Sequence, residues 1–100
     1  MVIRLFLSAV SASEVDDVLA LLREDVVPVF TAHPDCLGIE IVIADSAGAG
    51  GMVEGGVLTR WTSSDAMEAA LASPELLEGQ ARVRKLMRRE PKRLVLQVVP

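Results

Sequence analysis

The chain has 100 residues, 51% of them apolar and only 3% aromatic, with 24% charged and a net charge of −4. That length and balance predict one domain over residues 1–100 with an aliphatic core, and they exclude a disordered chain. A single cysteine, Cys36, excludes an internal disulfide, and no apolar run approaches the ~20 residues of a membrane span.

The first element, residues 2–10 (VIRLFLSAV), is rich in β-branched and large apolar types and reads as a strand. Its length and the acidic stretch after it are not those of a secretory leader, so a cytoplasmic location is expected. Ser11 and Glu14 then have capping-box spacing. Val15, Val18, Leu19, Leu22 and Val26 recur at helical spacing, and Val29 and Phe30 continue the stripe. Pro28 removes a backbone donor and clashes one turn back, which predicts a late kink. The helix ends at HPDCLG, because the residue before Pro34 is pushed from helical angles.

Residues 38–44 (GIEIVIA) and 52–62 read as two strands joined by the turn-rich DSAGAGG, hence a hairpin. Next comes a short helix capped by Ser63 or Ser64, with Met67, Ala70 and Leu71 on one face. A second helix starts at Ser73-Pro74-Glu75, with serine as cap and proline in the first turn. Leu76, Gln80, Val83 and Met87 form its stripe; Pro91 stops it, and residues 92–99 make the last strand. The order β-α-β-β-α-β predicts an α+β, ferredoxin-like fold, with an antiparallel four-stranded sheet and both helices on one face.

Strand alternation predicts which side chains meet the helices. One face carries Ile3, Leu5, Leu7, Ile39, Ile41, Val57, Thr59, Trp61, Leu94 and Leu96, nearly all apolar, and is expected to meet the helices. The other carries Arg4, Phe6, Glu40, Leu58, Arg60, Val95 and Gln97. This mixed face holds too many large apolar groups to stay in water. A homodimer through the sheet face with Arg4, Phe6, Glu40 and Arg60 is therefore expected, with cross-sheet pairs among its charges.

Charge is unevenly placed. Arg82, Arg84, Lys85, Arg88, Arg89, Lys92 and Arg93 crowd the segment 82–93, whereas most carboxylates precede it. No aromatic interleaves these cations, so no nucleic-acid partner is expected. They read better as closing a helix, complementing its C-terminal dipole, or pairing with acids of another helix or subunit.

Few residues suggest chemistry. The loop GAGGMVEGG lacks the G-x-G-x-x-G order and leads into a strand, so it reads as a flexible hairpin loop and not a phosphate cradle. His33 is the only histidine, so no multi-histidine metal site exists, and neither metal nor cofactor is expected. It lies on the apolar helical face, where it either caps free carbonyls or serves as a proton acceptor in a cavity. Cys36 reads as a small buried hydrophobe. Trp61, the only tryptophan, points to the helix side at a strand end; core filler and pocket wall are both open to it.

Over residues 2–99 the chain resembles the antibiotic biosynthesis monooxygenase-like family of dimeric α/β-barrel proteins. The resemblance is carried by the element order and by RWTSSDAMEAALASPE: a strand tryptophan, a short polar cap, a small helix and a Ser-Pro break. It implies either cofactor-independent oxygenation of a polyphenolic or quinol-like aromatic, or haem degradation. The haem-degrading branch implies an asparagine on the first strand and a histidine ten residues after the tryptophan. Here the chain contains no asparagine, and Leu71 stands at that position. Haem degradation is therefore rejected, because the iron needs a protein ligand. The oxygenase branch resembles this chain through Trp61. What the chain then offers is an apolar pocket of Trp61, Thr59, Met67 and Leu71 for a small apolar or aromatic ligand, with Trp61 and His33 as the expected catalytic residues, Trp61 as pocket wall and His33 as the base. Such sites also draw on asparagine and tyrosine, both absent here. A non-catalytic binding or dimerisation module of the same fold stands as the alternative.

Overall fold

The computed structural model describes residues 1–100. Strands β1 (Val2–Ser11), β2 (Cys36–Ile43), β3 (Met52–Trp61) and β4 (Lys92–Gln97) form one sheet in the order β2-β3-β1-β4. All three pairings are antiparallel. Helices α1 (Val15–Leu21), α2 (Val27–Thr31), α3 (Ser64–Leu71) and α4 (Pro74–Arg84) cover one side of β1, β3 and β2, giving the α+β, ferredoxin-like arrangement. β4 is an edge strand, and all six of its residues are exposed.

The sequence signals set the elements. Ser63 accepts from the Ala66 amide at 3.2 Å and Ser73 from the Leu76 amide at 3.4 Å, with Pro74 in the first turn of α4. Each cap satisfies a backbone donor that the helix itself leaves open. The hairpin turn between β2 and β3 needs left-handed backbone at Gly50 and Gly51 (φ 73° and 70°), where a Cβ would be strained.

Two expectations about the first helix are corrected. Ser11 is the last residue of β1 and bonds to the Ser13 hydroxyl, and Glu14 pairs with Arg88, so no capping box forms. Pro28 does not simply kink the helix. A π-helical turn, Leu22–Val26, joins α1 to α2, and the Val27 amide donates to the Leu22 carbonyl five residues back. A proline that cannot donate four residues back is accommodated by widening the turn before it. Gly79 of α4 packs on this turn, where a Cβ would lie 2.8 Å from the Asp25 carbonyl oxygen. Arg82 pairs with Asp25 across the same contact at 3.2 Å.

The strand faces require a larger correction. Register pairs Val2 with Trp61, Arg4 with Thr59 and Phe6 with Val57, and pairs Arg4 with Val95 and Phe6 with Arg93. Directly paired residues share a face. Arg4, Phe6, Arg93 and Val95 therefore lie on the helix side, opposite to the expectation, while β2 and β3 face as expected. The outward face carries Ile3, Leu5, Leu7, Val42, Leu58, Leu94 and Leu96, with Glu40 and Arg60 paired on it. A one-residue change of parity moves every side chain of a strand to the other face. β1 and β4 are apolar in both parities, so alternation could not decide them. The more apolar parity points away from the helices.

The basic run closes the fold. Arg82, Arg88 and Arg89 pair with Asp25, Glu14 and Glu54. The Arg88 amide donates to the Ala9 carbonyl at 2.8 Å, and the Ser8 hydroxyl donates to the Arg89 carbonyl at 2.7 Å. This segment buries Ala9 at the far end of β1.

Candidate functional site

The space between sheet and helices is filled at one end and hollow at the other. At the filled end Trp61 is fully buried. Its indole N–H donates to the Thr59 hydroxyl at 2.8 Å, and Phe30 meets its ring edge-on with centroids 5.7 Å apart. A buried indole needs such a partner, and Thr59 supplies it from the same strand face. Met67, Ala70 and Leu76 complete this packing. Leu71 is half-buried beside it. The loop before β2 is tied down by Thr62, whose hydroxyl reaches the Asp35 carboxylate at 3.0 Å. Cys36, half-buried against Trp61, begins a β-bulge that expels Leu37 to solvent.

The structure thus brings together Trp61, Thr59 and Met67, with Leu71 at their margin. His33 lies just past α2, with its ring centroid 6.4 Å from that of Trp61. Its side chain makes none of the hydrogen bonds in the structure. None of these five residues lines either of the two main cavities.

The larger cavity lies under α1, toward the far ends of β1 and β3. It encloses about 60 Å³, or about 520 Å³ when its mouth, open to solvent, is included. Phe6, Val18, Leu19, Leu22, Ile41 and Val57 form much of its wall, and 14 of its 18 lining residues are hydrophobic. Enclosed space alone holds a few waters. Only the volume with the mouth matches a typical small-molecule site, ~300–1,000 Å³. The single carboxylate in its lining, Glu54, receives Arg89 at 2.6 Å. That hydrogen bond and the Arg89 charge hold the Glu54 carboxyl below its ordinary value.

A smaller cavity of about 30 Å³ adjoins it, sharing Phe6, Leu22, Val57, Val83 and Met87. Its polar lining is Arg4 and Gln80. Phe30 separates it from Trp61. Alternation sets Arg4 and Phe6 on the outer face, so it misses this wall. The signal is Arg4 itself: with β1 inverted, it is a guanidinium under the helices. No cluster of histidine, cysteine, aspartate and glutamate is arranged to hold a metal ion.

Comparison with known proteins agrees with this architecture. The antibiotic biosynthesis monooxygenase family model matches residues 1–82, so the chain belongs to that family. A solved antibiotic biosynthesis monooxygenase is 18% identical, with each chain covered in full and a TM-score of 0.80. Rv0793 from Mycobacterium tuberculosis is 20% identical over 99% of this chain and 95% of its own, with a TM-score of 0.72. A point mutant of SnoaB, a cofactor-independent oxygenase from Streptomyces nogalater, is 20% identical over 97% of this chain and 91% of its own, with a TM-score of 0.67. At these identities the structures share the fold with this chain. No curated protein matches it.

Proposed function

We propose that this member of the antibiotic biosynthesis monooxygenase family is a small cofactor-independent oxygenase of an aromatic or quinol-type molecule held between sheet and helices. The observation that carries the reading is the partly open, overwhelmingly apolar cavity under α1 in a chain of this family. The electrons come from the substrate. An anthrone methylene, for example, loses two hydrogens and gains one oxygen atom as a carbonyl, and the second atom of dioxygen leaves as water. The protein's part is to hold the flat ring dry and to take its acidic proton. In this proposal His33 is the base, and Trp61 with Thr59, Met67 and Leu71 forms the inner wall. A substrate reaches that wall when Phe30 and the π-helical turn beside it shift, because Phe30 stands between the small cavity and the indole.

The protomer is proposed to pair with a second copy through its outward sheet face, in the cytoplasm. Leu94 and Leu96 are 51% and 48% exposed beside Ile3, Leu5 and Leu7, an apolar surface that water does not favour. No helix is long and apolar enough to cross a membrane. Light scattering at micromolar concentration should give twice the chain mass; a monomer counts against the pairing.

The oxygenase reading is tested by oxygen uptake of the metal-free protein with anthrones and hydroquinones. Uptake above autoxidation that falls in Trp61→Phe and His33→Ala is expected. A second reading, a ligand-binding module without catalysis, is favoured by one observation: the cavities contain no histidine, and their one carboxylate is already paired. Enzyme-independent uptake across the panel selects it.

A further inference from the structure

Arg4 is buried to 7% exposure in the second inward position of β1. The ion pairs of the structure use Arg60, Arg82, Arg88 and Arg89, and none of them includes Arg4. Nor does its side chain enter any of the hydrogen bonds. The small cavity it lines contains no carboxylate; its other polar wall is the amide of Gln80. A second cation approaches from β4. Arg93 pairs in register with Phe6, and the Arg4 and Arg93 guanidinium carbons lie 5.3 and 5.4 Å from the centroid of the Phe6 ring.

An arginine this buried is ordinarily matched by an acid; here its nitrogens are unpaired and each keeps only a narrow contact with water, since no fully buried side-chain nitrogen or oxygen lacks a partner. The charge that acts on it, Arg93, has the same sign. Burial first, and then Arg93, hold Arg4 below the usual arginine range. The Phe6 ring offsets part of this through its π face. What remains unmatched is a planar fork of donors in the lining of a mainly apolar recess, a group suited to a carboxylate. Phe6 also lines the larger cavity, so an aromatic ring in that cavity and an anion at Arg4 can belong to one small molecule.

We propose that Arg4, aided by Arg93 at the exposed edge, binds the carboxylate of a small aromatic acid whose ring lies along Phe6 in the apolar cavity. The proposal rests on the reading of this compartment as the ligand site and names the substrate class that it takes. It requires no oxygen chemistry.

The test is a proton–nitrogen chemical-shift titration of the full chain with benzoate and with benzamide, its uncharged isostere. Benzoate should bind at least about tenfold more tightly, the increment of a charge-assisted hydrogen bond, and should shift the Arg4 Nε–H signal of the unmodified protein. Arg4→Met should weaken benzoate more than benzamide and so erase the preference, with Arg4→Lys retaining part of it. Arg93→Met should weaken benzoate by about two- to fivefold, as expected for an exposed charge. Equal binding of the two probes, or no binding of benzoate at millimolar concentration, overturns the proposal. So does a preference that survives Arg4→Met. The unmodified protein alone decides the first two outcomes, so a variant that fails to fold does not block the test. Oxygen uptake can fail while the benzoate preference stands, and the preference can fail while uptake persists, so the two readings fall separately.

Discussion

The two ends of the layer between sheet and helices are built differently. At the Trp61 end large side chains meet: Trp61, Phe30, Met67 and Leu76 are each at most 4% exposed. At the other end β3 places Gly55, which has no side chain to offer, on the helix side, and Leu22 of the widened turn lies over the gap. Gly55 and Gly56 are there for backbone reasons. A Cβ on Gly56 would sit 1.7 Å from the Phe6 carbonyl oxygen, and one on Gly55 would sit 2.6 Å from that of Val42. Close approach of β2 and β3 at Gly55 thus removes side-chain volume where the helix is also irregular. One end is closely packed and the other keeps open space.

That contrast can be broken by mutation. Trp61→Ala should have the largest effect, about 3–5 kcal/mol, because the closed end leaves its neighbours no route to fill the gap. For a chain of this size the melting temperature should fall by roughly 15 °C or more. Gly56→Ala should follow at about 2–3 kcal/mol, since backbone would have to move in β1. Leu19→Ala, on the wall of the larger cavity, should lose only about 1 kcal/mol, because that side chain already borders empty space. Chemical denaturation of the three variants checks the order. A Leu19→Ala loss as large as that of Trp61→Ala would erase the distinction between the ends.

The smallest effect concerns the Arg89–Glu54 pair at the rim of the hollow end. Its folded carboxyl is held below the ordinary 4.5. The pair's stabilisation is therefore present above that value and lost as pH falls through the folded value. Because the pair is exposed, the contribution is modest. Glu54→Gln should lower the denaturation midpoint slightly at neutral pH and not at all once acid has protonated the native carboxylate. A difference that persists in acid would mean that the glutamate acts through packing and not through its charge.

Much of the fold is legible in the residues. Ser63 and Ser73-Pro74 mark helix starts because capping is a local event, settled within one turn. The β2–β3 hairpin follows from two apolar runs around a glycine-rich turn. Pro28 signals a disturbed helix, although a π-helical turn and a kink are both ways to accommodate it. Trp61 and Thr59 share the helix side because β3 alternates clearly, and Met67 packs in the same core from the apolar stripe of α3. The cavities are not legible. They are bounded by Phe6 and Arg4 from a strand of undecided parity, and an empty volume is defined by side chains from four or more elements.

The sequence by itself determined the element order, the caps of α3 and α4, the hairpin and the aliphatic core, since each depends on spacing or on near neighbours. Only the tertiary structure decided which way β1 and β4 face. Val2, Arg4, Phe6 and Ser8 compete with Ile3, Leu5, Leu7 and Ala9 for the helix side, and both sets contain enough apolar surface to be buried. Register with β3 resolves the competition, because Trp61 must face the helices and Val2 is its partner. That choice carries Arg4 inward without an acid beside it and leaves the leucines and isoleucine of β1 on the open face.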